Sequence, residues 1–189
     1  MNLPLARILP LAHLTPTGLG PWADGMARLV LEPADLLLVR GLVLQGVQAG
    51  RPWSDRLPVL LPFAWLLGGL VGLALPSPLL LALPCTALVA VVGLLVALEV
   101  RLWLPVLLPM AAVLIGLFAL VAGSALAGHP GALAALLGES VAIAGLSTLL
   151  CQSLAPPTPR WRAIGLRVGG SWITAASLLM LGWLVRHPQ

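Results

Sequence analysis

The sequence predicts an all-α fold, a polytopic membrane bundle of about six transmembrane helices preceded by a short half-helix. Three observations lead there. Hydrophobic residues make up 60% of the chain and charged residues 8%, with a mean hydropathy of +1.06; soluble domains carry about 25% charged residues, enough to coat a wet surface. The apolar runs, such as LLPFAWLLGGLVGLAL and LLLALPCTALVAVVGLLVAL, are continuous, whereas strands of a membrane barrel alternate apolar with polar. Prolines and arginines divide these runs into lengths close to the roughly 20 residues that cross a bilayer as helix.

The opening stretch holds Pro4, Pro10, Pro16 and Pro21, so it reads as irregular or as short pieces. It makes a poor signal peptide, with no basic start and no small-residue cleavage site, and is expected to be retained. Residues 22–31 suit a half-helix of about 15 Å. Pro33 opens the next helix, with Glu32 and Asp35 beside its free N–H groups; Glu32, preceding a proline, is biased out of helical geometry. Spans are expected at about 33–50, 58–76, 79–98, 102–127, 132–155 and 163–185. The connections GRPWSDRLP, LPSP, EVR, GHPG and PPTPRWR are short. Residues 1–189 therefore form a single membrane domain, with 1–32 as its irregular segment plus half-helix.

All ten basic side chains are arginines. They are scattered between apolar runs rather than gathered on one exposed face, which argues against nucleic acid as a partner. Arg51, Arg56, Arg101, Arg160 and Arg162, with Arg167 nearby, fall at one end of the expected bundle, and Arg7 and Arg186 at the other. Arginine-rich ends stay cytoplasmic, so both termini are expected outside. Trp53, Trp103 and Trp161 are expected at the inner interface, and Trp22 and Trp183 at the outer one. The bilayer is the first partner; apolar helix faces also suit contact with other membrane subunits.

Ionisable residues at membrane depth are costly and mark function by default. The candidates are Asp24, Arg28, Glu32, Asp35, Arg40 and Glu139, five of them between positions 24 and 40. Asp24 and Arg28 share a helix face and can neutralise one another, giving an ion-paired half-helix docked on the bundle. The other reading is an outward polar site of His13, Asp24 and Glu32, a donor set able to take a divalent cation. Arg40 and Glu139 lie at similar depths from the outer end, which predicts an interhelical pair; Arg40 could instead snorkel or pair with Asp35. Gly68, Gly69, Gly72, Gly138 and Gly145 read as close helix contacts, and Cys85 and Cys151 as small core residues. Ser171 has no His with an orienting group beside it, His129 and His187 being placed in a loop and a tail, so no enzyme is expected.

The segment AHLTPTGLGPWADGMARLVLEPADLL resembles the N-terminal signature of the HupE/UreJ family of small membrane proteins, regarded as nickel or cobalt permeases. That signature runs His, a TGLGP-type turn, Asp-Gly, a second His four residues beyond the Asp, then a Pro-Glu-Asp-Leu-like helix start. The closing LRVGGSWITAASLLMLGW resembles the family's last span. The resemblance implies a bacterial inner-membrane protein whose cargo is nickel or cobalt, with His13 and Asp24 on the metal path and no resident cofactor. The chain departs from the pattern in two places: Arg28 stands where the second His belongs, and residues 116–126 lack the His-Gly expected in the fourth span. A guanidinium repels a dication, with about 4 kcal/mol between unit charges at 4 Å and a dielectric near 20. The alternative is a non-transporting accessory subunit of a larger membrane complex that keeps the fold without the ligands.

Overall fold

The computed structural model describes residues 18–75, 82–154 and 160–186. These form eight helices among the described residues: α1 (Pro21–Leu31), α2 (Pro33–Ala49), α3 (Arg51–Ser54), α4 (Leu57–Ala74), α5 (Ala82–Ala97), α6 (Leu104–Leu126), α7 (Ala132–Leu154) and α8 (Arg160–Arg186). The expectations for the opening stretch, His13 included, and for His187 lie outside the described residues.

Proline sets the helix starts. Pro21, Pro33, Pro52, Pro58 and Pro105 each fall in the first two positions of their helices, where no N–H is needed. Glu32 takes the extended backbone its proline neighbour favours, φ −94° and ψ 97°, and breaks α1 from α2.

Each expected span overlaps one helix among the described residues. Four of them, Leu57–Ala74, Pro105–Leu126, Ala132–Leu154 and Ala163–Arg186, are long and apolar enough to cross a membrane. The other two depart from expectation. The described part of α5 covers 16 residues, and α2, at 17 residues and about 25 Å, carries Asp35 and Arg40. The lower apolarity of α2 follows from its place: it contacts α5, α7, α8, α6 and α4, and Leu38, Val39, Leu42 and Val43 are wholly enclosed. A helix shielded by neighbours needs less hydrocarbon of its own.

Around α2 the closest packing is α4 on α6, α5 on α8 and α1 on α7. Small residues bring these pairs together. A Cβ on Gly68 or Gly72 would strike the backbone of Gly116 or Leu120, and one on Gly170 the backbone of Ala97 and Gly93. Dispersion rather than water exclusion drives helix association in lipid, so backbone proximity is the main resource. The outward surfaces carry Phe63, Leu67, Val113, Leu149, Trp172 and Leu179, all exposed, as a lipid-facing bundle requires.

The C-terminal end of α5 is capped from two sides. Gln45 Nε2 donates to Val100 O at 2.5 Å and Gln48 Nε2 to Val96 O at 2.9 Å, while Arg167 Nε donates to Ala97 O at 3.3 Å. The Val96 and Ala97 carbonyls lie in the last turn of α5, where carbonyls lack the usual intrahelical donors, and Val100 lies in the turn that follows. Gln45→Leu is expected to destabilise the fold by about 0.5–1.5 kcal/mol, the net worth of the lost hydrogen bond to the Val100 carbonyl, read as a lowered thermal midpoint in detergent.

Two interface expectations are revised. Trp53 is buried rather than interfacial, because the one-turn α3 folds it against Gly46 of α2. Gly145 makes no close contact: a Cβ there would meet open space. Trp22, Trp103, Trp161 and Trp183 are exposed.

Candidate functional site

The half-helix α1 lies on α7 through a reciprocal notch. A Cβ on Gly25 would strike the Ala135 backbone, and one on Gly138 the Trp22 carbonyl. This contact brings Arg28, one turn beyond Gly25, beside Glu139, the neighbour of Gly138. Arg28 Nη1 stands 3.6 Å from Glu139 Oε2, with the Glu139 side chain fully enclosed and that of Arg28 one-tenth exposed. The same Nη1 donates to Ala122 O of α6 at 3.4 Å.

The pair is loosely seated. At 3.6 Å it exceeds hydrogen-bond length, and Arg28 Nε and both Glu139 oxygens lack hydrogen-bond partners. The Trp65 indole, wholly enclosed on α4, interacts with the Glu139 carboxylate, although its N–H finds no acceptor at good geometry. Ser140 adds a buried hydroxyl without a partner. Buried polar groups are normally satisfied, so this concentration of unsatisfied atoms marks the site.

Two further carboxyl groups join the pair. Asp35, buried in the first turn of α2, is in electrostatic reach of Glu139, Arg28 and Glu32, and Glu32 is in reach of Glu139. Asp24 is half-buried in the first turn of α1.

Glu139 therefore has Arg28 as its partner, where depth alone suggested Arg40. Arg40 is exposed on α2 and forms no ion pair among the described residues. Five helical positions separate it from Asp35, a rotation of about 140°, so the two cannot share a face. The signal for Arg28 was its position at a buried helix-helix seam, legible once Gly25 and Gly138 are seen as facing notches.

No group of three His, Cys, Asp or Glu side chains is arranged to hold a metal ion among the described residues. The carboxyl groups here are spread around a guanidinium instead of converging on one point. Compared with family models, curated proteins and solved structures, the chain matches none.

Gly25→Leu is expected to lift α1 from α7, separate Arg28 from Glu139 and cost about 1–3 kcal/mol or more through overpacking. Gly145→Leu, entering open space, should leave the thermal midpoint unchanged in the same assay.

Proposed function

We propose that the chain is a HupE/UreJ-like multi-pass protein of the bacterial inner membrane that passes a divalent cation, nickel or cobalt, through the polar site between α1, α2 and α7. One observation carries the reading: Glu32, Asp35 and Glu139 lie in electrostatic reach of one another beside the buried Arg28 guanidinium, and a dication would supply the positive charge that lets such buried carboxyl groups ionise. The cation is cargo, not a resident cofactor, which agrees with a carboxyl set too spread to hold a metal firmly. Transport requires such weak binding, since an ion bound tightly does not leave. Unsatisfied oxygens on Glu139 and a long ion pair keep the carboxylate exchangeable. In this reading α2 and α5 complete six spans, both termini face outward, and His13 and Asp24 stand at the outer entrance.

The second reading, a non-transporting accessory subunit, is favoured by the same guanidinium, which already occupies the space beside Glu139 and repels a dication. Uptake of radioactive nickel by cells expressing the chain separates the two. The permease reading expects uptake that His13→Ala and Asp24→Ala both weaken. Uptake indifferent to both changes, together with a stoichiometric partner on native purification, would establish the subunit instead.

A further inference from the structure

At the opposite end of α7 lies a second polar site, unrelated to the charged seam. A cavity of about 620 Å³ is lined by Arg51, Ser54, Asp55 and Pro58 from the α3–α4 corner and by Thr148, Cys151 and Gln152 of α7. It runs into a shallow groove of about 470 Å³ floored by Val141, Ala144, Gly145, Leu149 and, again, Thr148 and Gln152. The groove residues recur at three- and four-residue intervals, so they form one stripe along α7 about 16 Å long. Gly145 leaves the middle of that stripe open.

We propose that this continuous feature holds one phospholipid with a phosphate–ammonium headgroup. Charge complementarity selects the occupant. Arg51 and Asp55 are exposed at the cavity mouth, of opposite sign, and neither forms an ion pair among the described residues. Guanidinium binds phosphate through charge-assisted hydrogen bonds, and a primary ammonium donates to the Asp55 carboxylate. Gln152 lines both the cavity and the groove, so its amide can donate to a lipid's ester oxygens. Beyond it Val141, Ala144 and Leu149 give the α7 face an aliphatic surface on which an acyl chain can lie. A cavity of this size accommodates a headgroup, and its charged mouth sits at the arginine-rich end, where headgroups lie.

The site is independent of any transport activity, and the test uses the full chain in mild detergent. Native mass spectrometry is run with phosphatidylethanolamine, phosphatidylcholine and phosphatidylglycerol in equal amounts. The expected result is a one-to-one phosphatidylethanolamine adduct, favoured because only this lipid offers both a phosphate and hydrogen-bonding ammonium protons. Asp55→Asn should move the preference to phosphatidylglycerol. Arg51→Gln should weaken all three by about tenfold, the loss of one charge-assisted contact. Gly145→Leu should displace the acyl chain and remove the adduct while the thermal midpoint stays constant. Equal binding of the three lipids by the unmodified chain would overturn the proposal, as would adducts unaffected by Gly145→Leu and Arg51→Gln. A dimer dispersed by Gly145→Leu, with no lipid adduct, would assign the stripe to a second copy and also overturn it.

Discussion

Arg28→Met is expected to destabilise the bundle by about 3–5 kcal/mol, the cost of leaving a buried carboxylate without its counter-ion. Glu139 is fully enclosed, and the guanidinium at 3.6 Å is its ion-pair partner among the described residues. The penalty is harder to evade because α1 is held to α7 at that point through Gly25 and Gly138, which restrains the Glu139 side chain. Arg40→Met is the control. Its side chain is exposed, and surface changes away from special features stay within about ±0.5 kcal/mol. Both effects are read from chemical unfolding in bicelles. Similar costs for the two arginines would show that burial and pairing of Arg28 contribute nothing.

The second large effect concerns uptake. Asp35→Asn is expected to lower nickel uptake by more than about tenfold, since it removes one of three carboxyl groups able to face a dication, and a charge term of a few kcal/mol at close range governs occupancy. Because Asn preserves the shape of the side chain, the protein should still be recovered folded, and thermal midpoints should confirm it. Glu99→Gln removes a carboxylate that pairs with Arg101 at an exposed turn, and it should leave uptake untouched. Equal uptake by the two variants, at the level of the unmodified chain, would remove Asp35 from the cation path, and uptake no higher than in cells lacking the chain would contradict the permease reading.

The architecture was largely legible from composition and punctuation. Prolines in the first turn are read directly as helix starts, and Glu32 before Pro33 marked the break between α1 and α2 because the proline ring restricts its predecessor. The status of α2 was harder to read. By depth and position it resembled a span, yet its enclosure by other helices permits Asp35, Gln45 and Gln48 on its surface, and only the fold reveals that enclosure. Trp53 followed the general preference of indoles for the membrane interface until the short α3 folded it inward.

The charged site was half legible. Arg28, Glu32, Asp35 and Glu139 were recognisable as costly residues at depth. Their pairing was not, because counting residues from a helix end fixes axial depth but leaves rotation about the axis undetermined. Arg40 matched Glu139 in depth and lies on the wrong face of α2. The correct partner sits on an element too short to span a membrane, whose direction is set by contacts with α7. The lower cavity was invisible for the same reason: Arg51, Asp55 and Gln152 meet through the turn from α2 into α4.

The most direct test of this account is a double-mutant cycle on the seam, using Arg28→Met, Glu139→Gln and the double variant unfolded reversibly in bicelles. The account predicts a coupling of about 2–3 kcal/mol, with the double variant recovering most of the stability lost by Arg28→Met alone, because an apolar and a neutral side chain together leave no buried charge. Single costs that simply add, within about 0.5 kcal/mol, would mean that the two side chains do not meet and that α1 does not dock on α7 in the way described.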